Sequence, residues 1–226
     1  MGLSAALGKA SRKKATSPVI SAKELNNTAN ADKELLFFNR VPKVGSQTTM
    51  HLLNILSRKN HFFFHKDKPN RVEAIKLSDR EEDYETCVQS HDKECQYLDG
   101  EVRDDYGQLT EFFCGQNDEC TGFNEDFPLQ QAKQNVEKNY AVVGILEDMN
   151  KTLTVLEHYI PRFFKGVKDI YYEEIAQFTK LNRNIYKPSV EKKVKDIVRL
   201  NFTRELEFYE FCRQRLHLQY QALNLV

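Results

Sequence analysis

Apolar residues along this chain fall into a few short runs separated by longer stretches of helical spacing. Leu35-Leu36-Phe37-Phe38 is one continuous run, and Tyr140 to Leu146 is a second, nearly continuous one. Runs of this length suit strands buried on both faces, as in a parallel sheet. His61 to His65, with three phenylalanines between, predicts a shorter strand, and Val72 to Leu77 alternates weakly. Elsewhere the spacing turns helical. An apolar-periodic helix follows Ser46. Pro128 opens another, with Leu129, Ala132 and Val136 on one face. Leu153, Leu156 and Ile160 align on a third, which Pro161 ends. Pro188-Ser189 begins the last, with Ser189 as N-cap and Val190, Val194, Ile197, Leu206 and Tyr209 keeping one period. Strands alternating with helices predict an α/β fold built on a parallel sheet flanked by helices.

Residues 1–32 are polar, small and aperiodic, which predicts a disordered tail. The remainder, 33–226, fits a single domain of ordinary size. Inside it, Ser78 to Gly100 is dense in Asp, Glu and Lys, and Asp99 to Gln108 reads as a loop. Apolar residues make up 40 % of the 226, enough for a core, and 29 % are charged. The 33 Lys and Arg balance the 33 Asp and Glu, so no global field recruits nucleic acid. Any polyanion must be held by a local patch.

No apolar run approaches the roughly 20 residues that span a bilayer, and Met1 to Ile20 lacks the apolar stretch of a signal peptide. Cys87 and Cys95 lie eight apart, and Cys114 and Cys120 six apart. Each interval can close a local loop; zinc-type spacing fits less well, and four reduced thiols remain a simpler alternative. Cys212 is left over, as a small buried apolar residue. Sequons begin at Asn26, Asn150 and Asn201, and such triplets permit a luminal location without requiring it.

The chemistry concentrates at the first strand-to-helix turn. The run at 35–38 leads into Arg40-Val41-Pro42-Lys43-Val44-Gly45 and then Ser46-Gln47-Thr48-Thr49. Backbone N–H groups at a helix start, favoured by the helix dipole, form a cradle for phosphate. Lys43 adds a full charge, and Ser46 and Thr48 add hydroxyl donors. This is not a Walker A loop, because the lysine precedes the only glycine. By spacing alone, an ordinary connection capped by Ser46 reads as well.

At these residues the chain resembles the uronyl and heparan sulfate 2-O-sulfotransferases, and is most similar to the Pipe group of insects. Asn39 to Thr49 is similar to the family's 5′-phosphosulfate loop. Phe112-Phe113-Cys114-Gly115, Cys120, Ala132-Lys133, Tyr140 to Asp148, Tyr159 to Gly166 and Glu205 to Phe211 follow as family-like blocks in family order. The resemblance implies a P-loop-like sulfotransferase fold and the donor 3′-phosphoadenylyl sulfate, with no metal. Lys43 would stabilise the departing phosphate. Arg40, Val44, Gly45, Ser46, Gln47, Thr48 and Thr49 would line the donor site, and Arg183 and Lys187 would reach the 3′-phosphate from a lid-like loop. Arg162, Lys165 and Lys168 form a small basic group suited to glycan carboxylates and sulfates, though a solvated face explains each one singly. The resemblance also implies disulfides Cys87–Cys95 and Cys114–Cys120, glycosylation at Asn150 and Asn201, and Golgi residence through a membrane anchor not visible in this chain. A glycan acceptor is implied, nucleic acid is not, and a homo-oligomer is compatible with it.

One departure matters. The family's general-base histidine, and its Arg-Asp-Pro strand that holds the 3′-phosphate, are missing. Arg71 to Leu77 passes almost directly to Tyr84-Glu85-Thr86-Cys87, where the family carries a long block. The domain is therefore expected to be truncated in its middle, leaving an unpaired edge beside Leu35–Phe38. His61 and His65 do not align with that histidine, and His51, His158 and His217 carry no motif. The expected activity is transfer of a sulfonate to the 2-hydroxyl of a uronic acid in a glycosaminoglycan or related glycan, impaired by the missing block. The alternative is an inactive relative that binds glycan or a protein partner. A nucleotide kinase on the same cradle is disfavoured by the lack of a Walker A loop and of a magnesium-binding carboxylate motif.

Overall fold

Apolar stripes at helical spacing assemble most of what the chain builds. The computed structural model describes residues 24–41, 44–65, 89, 109–181 and 189–224. Among them are eight α-helices: α1 Ser46–Lys59, α2 Leu109–Cys114, α3 Asp126–Asn139, α4 Met149–Tyr159, α5 Pro161–Phe164, α6 Val167–Leu181, α7 Lys192–Asn201 and α8 Thr203–Ala222.

Helix α4 sits between two apolar clusters. On one side Val155 and Tyr159 join Phe113, Leu129, Ala132, Val136 and the α8 stripe Phe208, Cys212 and Leu216. On the other, Leu153 meets Leu52, Leu53 and Leu56 of α1, Phe163 and Phe164 of α5, and Val167 and Ile170 of α6. The face predicted for α3 is the one buried: Leu129, Ala132 and Val136 are wholly enclosed. Full burial of each large apolar side chain stabilises the fold by about 1.5–3 kcal/mol. Pro161 does end α4, but it also occupies the first turn of α5, where its missing N–H costs nothing.

Three expectations meet the structure differently. First, no β-ladder forms among the described residues, so the expected sheet is neither seen nor excluded there. Residues 35–38 and 140–145 run outside any helix without strand pairing, as do 62–65. The apolar run at 35–38 alternates instead: Leu36 and Phe38 pack on the α1 cluster, while Leu35 and Phe37 are 72 % and 89 % exposed. Second, the last helix is two. Phe202, at φ −108° and ψ 40°, interrupts it, so the period counted from Val190 does not carry through. Leu206 is exposed, and the buried stripe begins at Glu205 and Phe208. Third, Glu191 stands at the N-cap of α7, not Ser189. The short helix α2 and the long α6 were not anticipated.

Residues 24–31, at the end of the expected tail, lie against α8. Leu25 is buried, and its carbonyl accepts from Gln219 Nε2 at 3.1 Å and from Arg215 Nη2 at 3.4 Å. Cys114 and Cys120 form a disulfide that closes the turn between α2 and α3. Cys87 and Cys95 lie outside the described residues.

Cys212 is a free, buried thiol, and its burial pushes its pKa up to about 12. At pH 8 it stays protonated and shielded. Iodoacetamide should therefore modify it in the native protein more than about tenfold slower than in denaturant, as read by peptide mass mapping.

Candidate functional site: the turn entering α1

The turn before α1 depends on one backbone conformation. Gly45 is the N-cap of α1 with φ 79° and ψ 10°, in the left-handed region, which L-residues other than glycine avoid. It is also crowded. A Cβ at Gly45 would lie 2.8 Å from Leu146 Cδ1. Ser46 is thus the first helical residue and does not cap the helix. Its hydroxyl, nearly buried, accepts instead from Arg40 Nε at 3.4 Å. Thr49 N–H reaches the Gly45 carbonyl at 3.3 Å and Thr49 Oγ1 at 3.5 Å, so Thr49 braces the first turn. Thr48 is buried, while Val44 and Gln47 face outward.

The segment that supplies Leu146 is itself pinned. Thr152 Oγ1 accepts from Ile145 N–H at 2.9 Å and donates to the Ile145 carbonyl at 3.0 Å. Asn39 Nδ2 donates to Tyr140 Oη at 2.8 Å and to the Phe112 carbonyl at 3.0 Å. The 3-10 turn Leu146–Asp148 then leads into α4. Asp148 does not cap α4 with its side chain. Its Oδ2 accepts from His217 Nε2 of α8 at 2.6 Å, and its Oδ1 lies 3.4 Å from Lys151 Nζ. The His217 hydrogen bond, opposed by desolvation and assisted by Lys151, holds the Asp148 carboxyl below its ordinary value of 3.8. Next to it, Tyr209 Oη donates to Glu147 Oε2 at 3.2 Å. Nothing in the sequence signalled the Asp148–His217 pair, whose members lie 69 residues apart.

The structure thus brings Arg40, Gly45, Ser46, Thr48 and Thr49 together at the start of α1. Lys43, Arg183 and Lys187 lie outside the described residues. Arg162 is occupied elsewhere: it donates to the Asn60 carbonyl at 2.7 Å and bonds Glu34 Oε2 at 3.0 Å, which makes it a fastener of the α1 C-terminus. Lys165 is exposed and Lys168 partly so. Asn150 is exposed, whereas Asn201 Nδ2 is bonded to the Ile197 carbonyl at 3.0 Å. His158 Nδ1 lies 2.8 Å from the Thr154 carbonyl of its own helix, and His61 and His65 are exposed. Among the described residues no group of three or more His, Cys, Asp or Glu is placed to hold a metal ion, and no helix is long and apolar enough to cross a membrane.

This turn falls inside the region matched by a family profile. The profile described as "Sulfotransferase family" matches residues 26–98. The uronyl 2-sulfotransferase homolog pip of Drosophila melanogaster is 34 % identical, covering 88 % of this chain. Residues 26–98 carry the sequence pattern of the sulfotransferase family, whose fold is P-loop-like α/β. Mouse uronyl 2-sulfotransferase is 30 % identical over 69 % of the chain, and Xenopus laevis heparan sulfate 2-O-sulfotransferase 1 is 32 % identical over 46 %. The chain spans 55 % of the length of the fly protein, 37 % of the mouse protein and 29 % of the frog protein. The match to the fly protein extends over 285 positions, more than the 226 residues this chain possesses, so part of the fly sequence stands opposite a gap here.

Gly45→Ala should destabilise the protein by about 1–2 kcal/mol from the backbone, because the half-exposed Leu146 side chain can turn aside. Adding Leu146→Ala should leave that loss nearly unchanged, as measured by urea unfolding. Asp148→Asn should lower stability at neutral pH. A carboxyl depressed in the folded state stabilises it above the unfolded pKa and loses that contribution as pH falls through the folded value. The gap between wild type and variant should therefore close below the ordinary carboxylate range, in unfolding curves collected from pH 7 to pH 3.

Proposed function

We propose that the chain is a 2-O-sulfotransferase of glycosaminoglycan type, transferring a sulfonate from 3′-phosphoadenylyl sulfate to the 2-hydroxyl of a uronic acid. The observation that carries this reading is the left-handed Gly45 turn at the start of α1, within a sequence similar to uronyl and heparan sulfate 2-O-sulfotransferases. In-line transfer to a hydroxyl builds charge on the departing phosphate oxygen, and positioned cations and N–H donors stabilise that charge. Lys43 supplies the ammonium group. The N–H groups of Val44 to Thr48 receive the 5′-phosphosulfate, with Arg40 holding Ser46 at its edge and Thr49 bracing the first turn behind them. Gly45 permits close approach of the backbone because it carries no side chain. Arg183 and Lys187 close on the 3′-phosphate with charge-assisted hydrogen bonds.

In this reading 35–38 and 140–145 occupy strand positions of a parallel sheet, and the protein works on a glycan acceptor in the Golgi lumen, with Asn150 and Asn201 as glycosylation sites. The gap opposite the fly protein favours a second reading. If the missing block carries the base and the rest of the 3′-phosphate site, the chain binds glycan or a partner without turnover.

Two measurements test these readings together. Calorimetry with 3′-phosphoadenosine 5′-phosphate should detect binding that Lys43→Ala weakens by about tenfold or more, the loss expected for a hydrogen bond to a charged group. Binding that the substitution leaves unchanged would remove Lys43 from the site. Transfer of radiolabelled sulfate to desulfated heparin, at a rate comparable to a full-length relative, would eliminate the inactive reading.

A further inference from the structure

The cation-rich helix α7 makes no use of its outer face in holding the fold. Of its ten residues, Lys192 to Asn201, only Val194 is buried. Helices this short are marginal in water unless packing supports them, and α7 packs mainly on α8. Lys192, Lys195 and Arg199 recur at spacings of three and four, so they share one stripe about 10 Å long. Lys193 is exposed at its flank. Arg199 touches Asp196 at 3.4 Å, a pair that is open to water on both sides and of little energetic weight. Among the described residues no ion pair is formed by Lys192, Lys193 or Lys195. In a chain whose formal charge is zero, four cations among ten residues with a single carboxylate are a local excess.

We propose that this stripe docks a linear, sulfated and carboxylated polysaccharide. The proposal rests on the sulfotransferase reading for the identity of the polyanion; the charge argument stands without it. Regularly spaced anions on an extended chain match regularly spaced cations on one helix face, and such a contact raises the encounter rate and the local acceptor concentration. An anionic membrane fits less well. A helix lying in the lipid interface needs an apolar face free to insert, and in α7 Val194 is turned into the protein, leaving Leu200 as its one strongly exposed large apolar residue. Single-stranded nucleic acid would want aromatic side chains to stack its bases, and α7 has none.

The test is fluorescence anisotropy of a labelled heparin oligosaccharide titrated with the full chain. The triple variant Lys192→Glu, Lys195→Glu, Arg199→Glu should bind at least tenfold more weakly, while Lys138→Glu, an exposed reversal on α3, should change the affinity less than twofold. The charge-neutral Lys192→Gln, Lys195→Gln should fall between, and it keeps the test intact if the triple variant unfolds by circular dichroism. Phosphatidylserine vesicles and a DNA oligonucleotide should bind more weakly than heparin at equal salt. Unchanged heparin affinity in the α7 variants, an equal loss in Lys138→Glu, or tighter binding of vesicles or DNA than of heparin would each overturn the proposal. Because 3′-phosphoadenosine 5′-phosphate is titrated separately, loss of nucleotide binding would count against the sulfotransferase reading and leave the heparin result to stand or fall alone.

Discussion

The left-handed backbone at Gly45, over which Leu146 lies, is the constraint from which the shape of the α1 turn follows. A left-handed backbone at Gly45 aims the chain into the helix, and the absence of a side chain lets Leu146 lie over it. Any Cβ at that atom would meet the cost of a left-handed backbone and would push the Leu146 side chain aside. The contact also links two segments 101 residues apart in sequence, which Asn39 joins a second time through Tyr140 Oη; Asn39 ties the first to the Phe112 carbonyl as well, and Thr152 and His217 hold the second. A donor site assembled from both can be no more rigid than that joint.

Buried or half-buried polar side chains do much of the remaining fastening. Glu205, nearly enclosed, accepts from the N–H groups of Leu109 and Thr110 and from the Thr110 hydroxyl, so α8 caps the first turn of α2. Asn135 of α3 donates to the carbonyls of Phe113 and Cys114 at the other end of α2. Gln219 bridges Leu25 and Ala141 from α8. Each of these places a donor or acceptor where a helix end or an extended segment would otherwise leave one unmet, at a cost of about 1–3 kcal/mol for each buried unsatisfied group. They explain how extended segments that form no ladder among the described residues keep a defined course.

Among the described residues the same segments carry a strand-like alternation. Phe62 and Phe64 pack inward on the α1 cluster as Leu36 and Phe38 do, and Phe63, like Phe37, points outward, 99 % exposed. Alternation of this kind is the signature of a strand. Large apolar side chains standing in water along two such segments make an adhesive edge.

The sequence alone determined the positions whose signal is local. The α3 face, the stop at Pro161, the glycine turn before α1 and the burial of Cys212 all depend on spacing within a few residues, or on the conformational limits of glycine and proline. The family blocks were legible for the same reason, as contiguous strings. Tertiary structure decided the rest. It left the apolar runs at 35–38 and 140–145 as extended segments that form no ladder among the described residues, because a strand is assigned only with a partner at its edge. It reset the helical phase at Phe202, because one residue outside helical geometry shifts every side chain beyond it. It made Arg162 a fastener and paired Asp148 with His217, because hydrogen bonds between residues far apart in the chain leave no periodic trace in it.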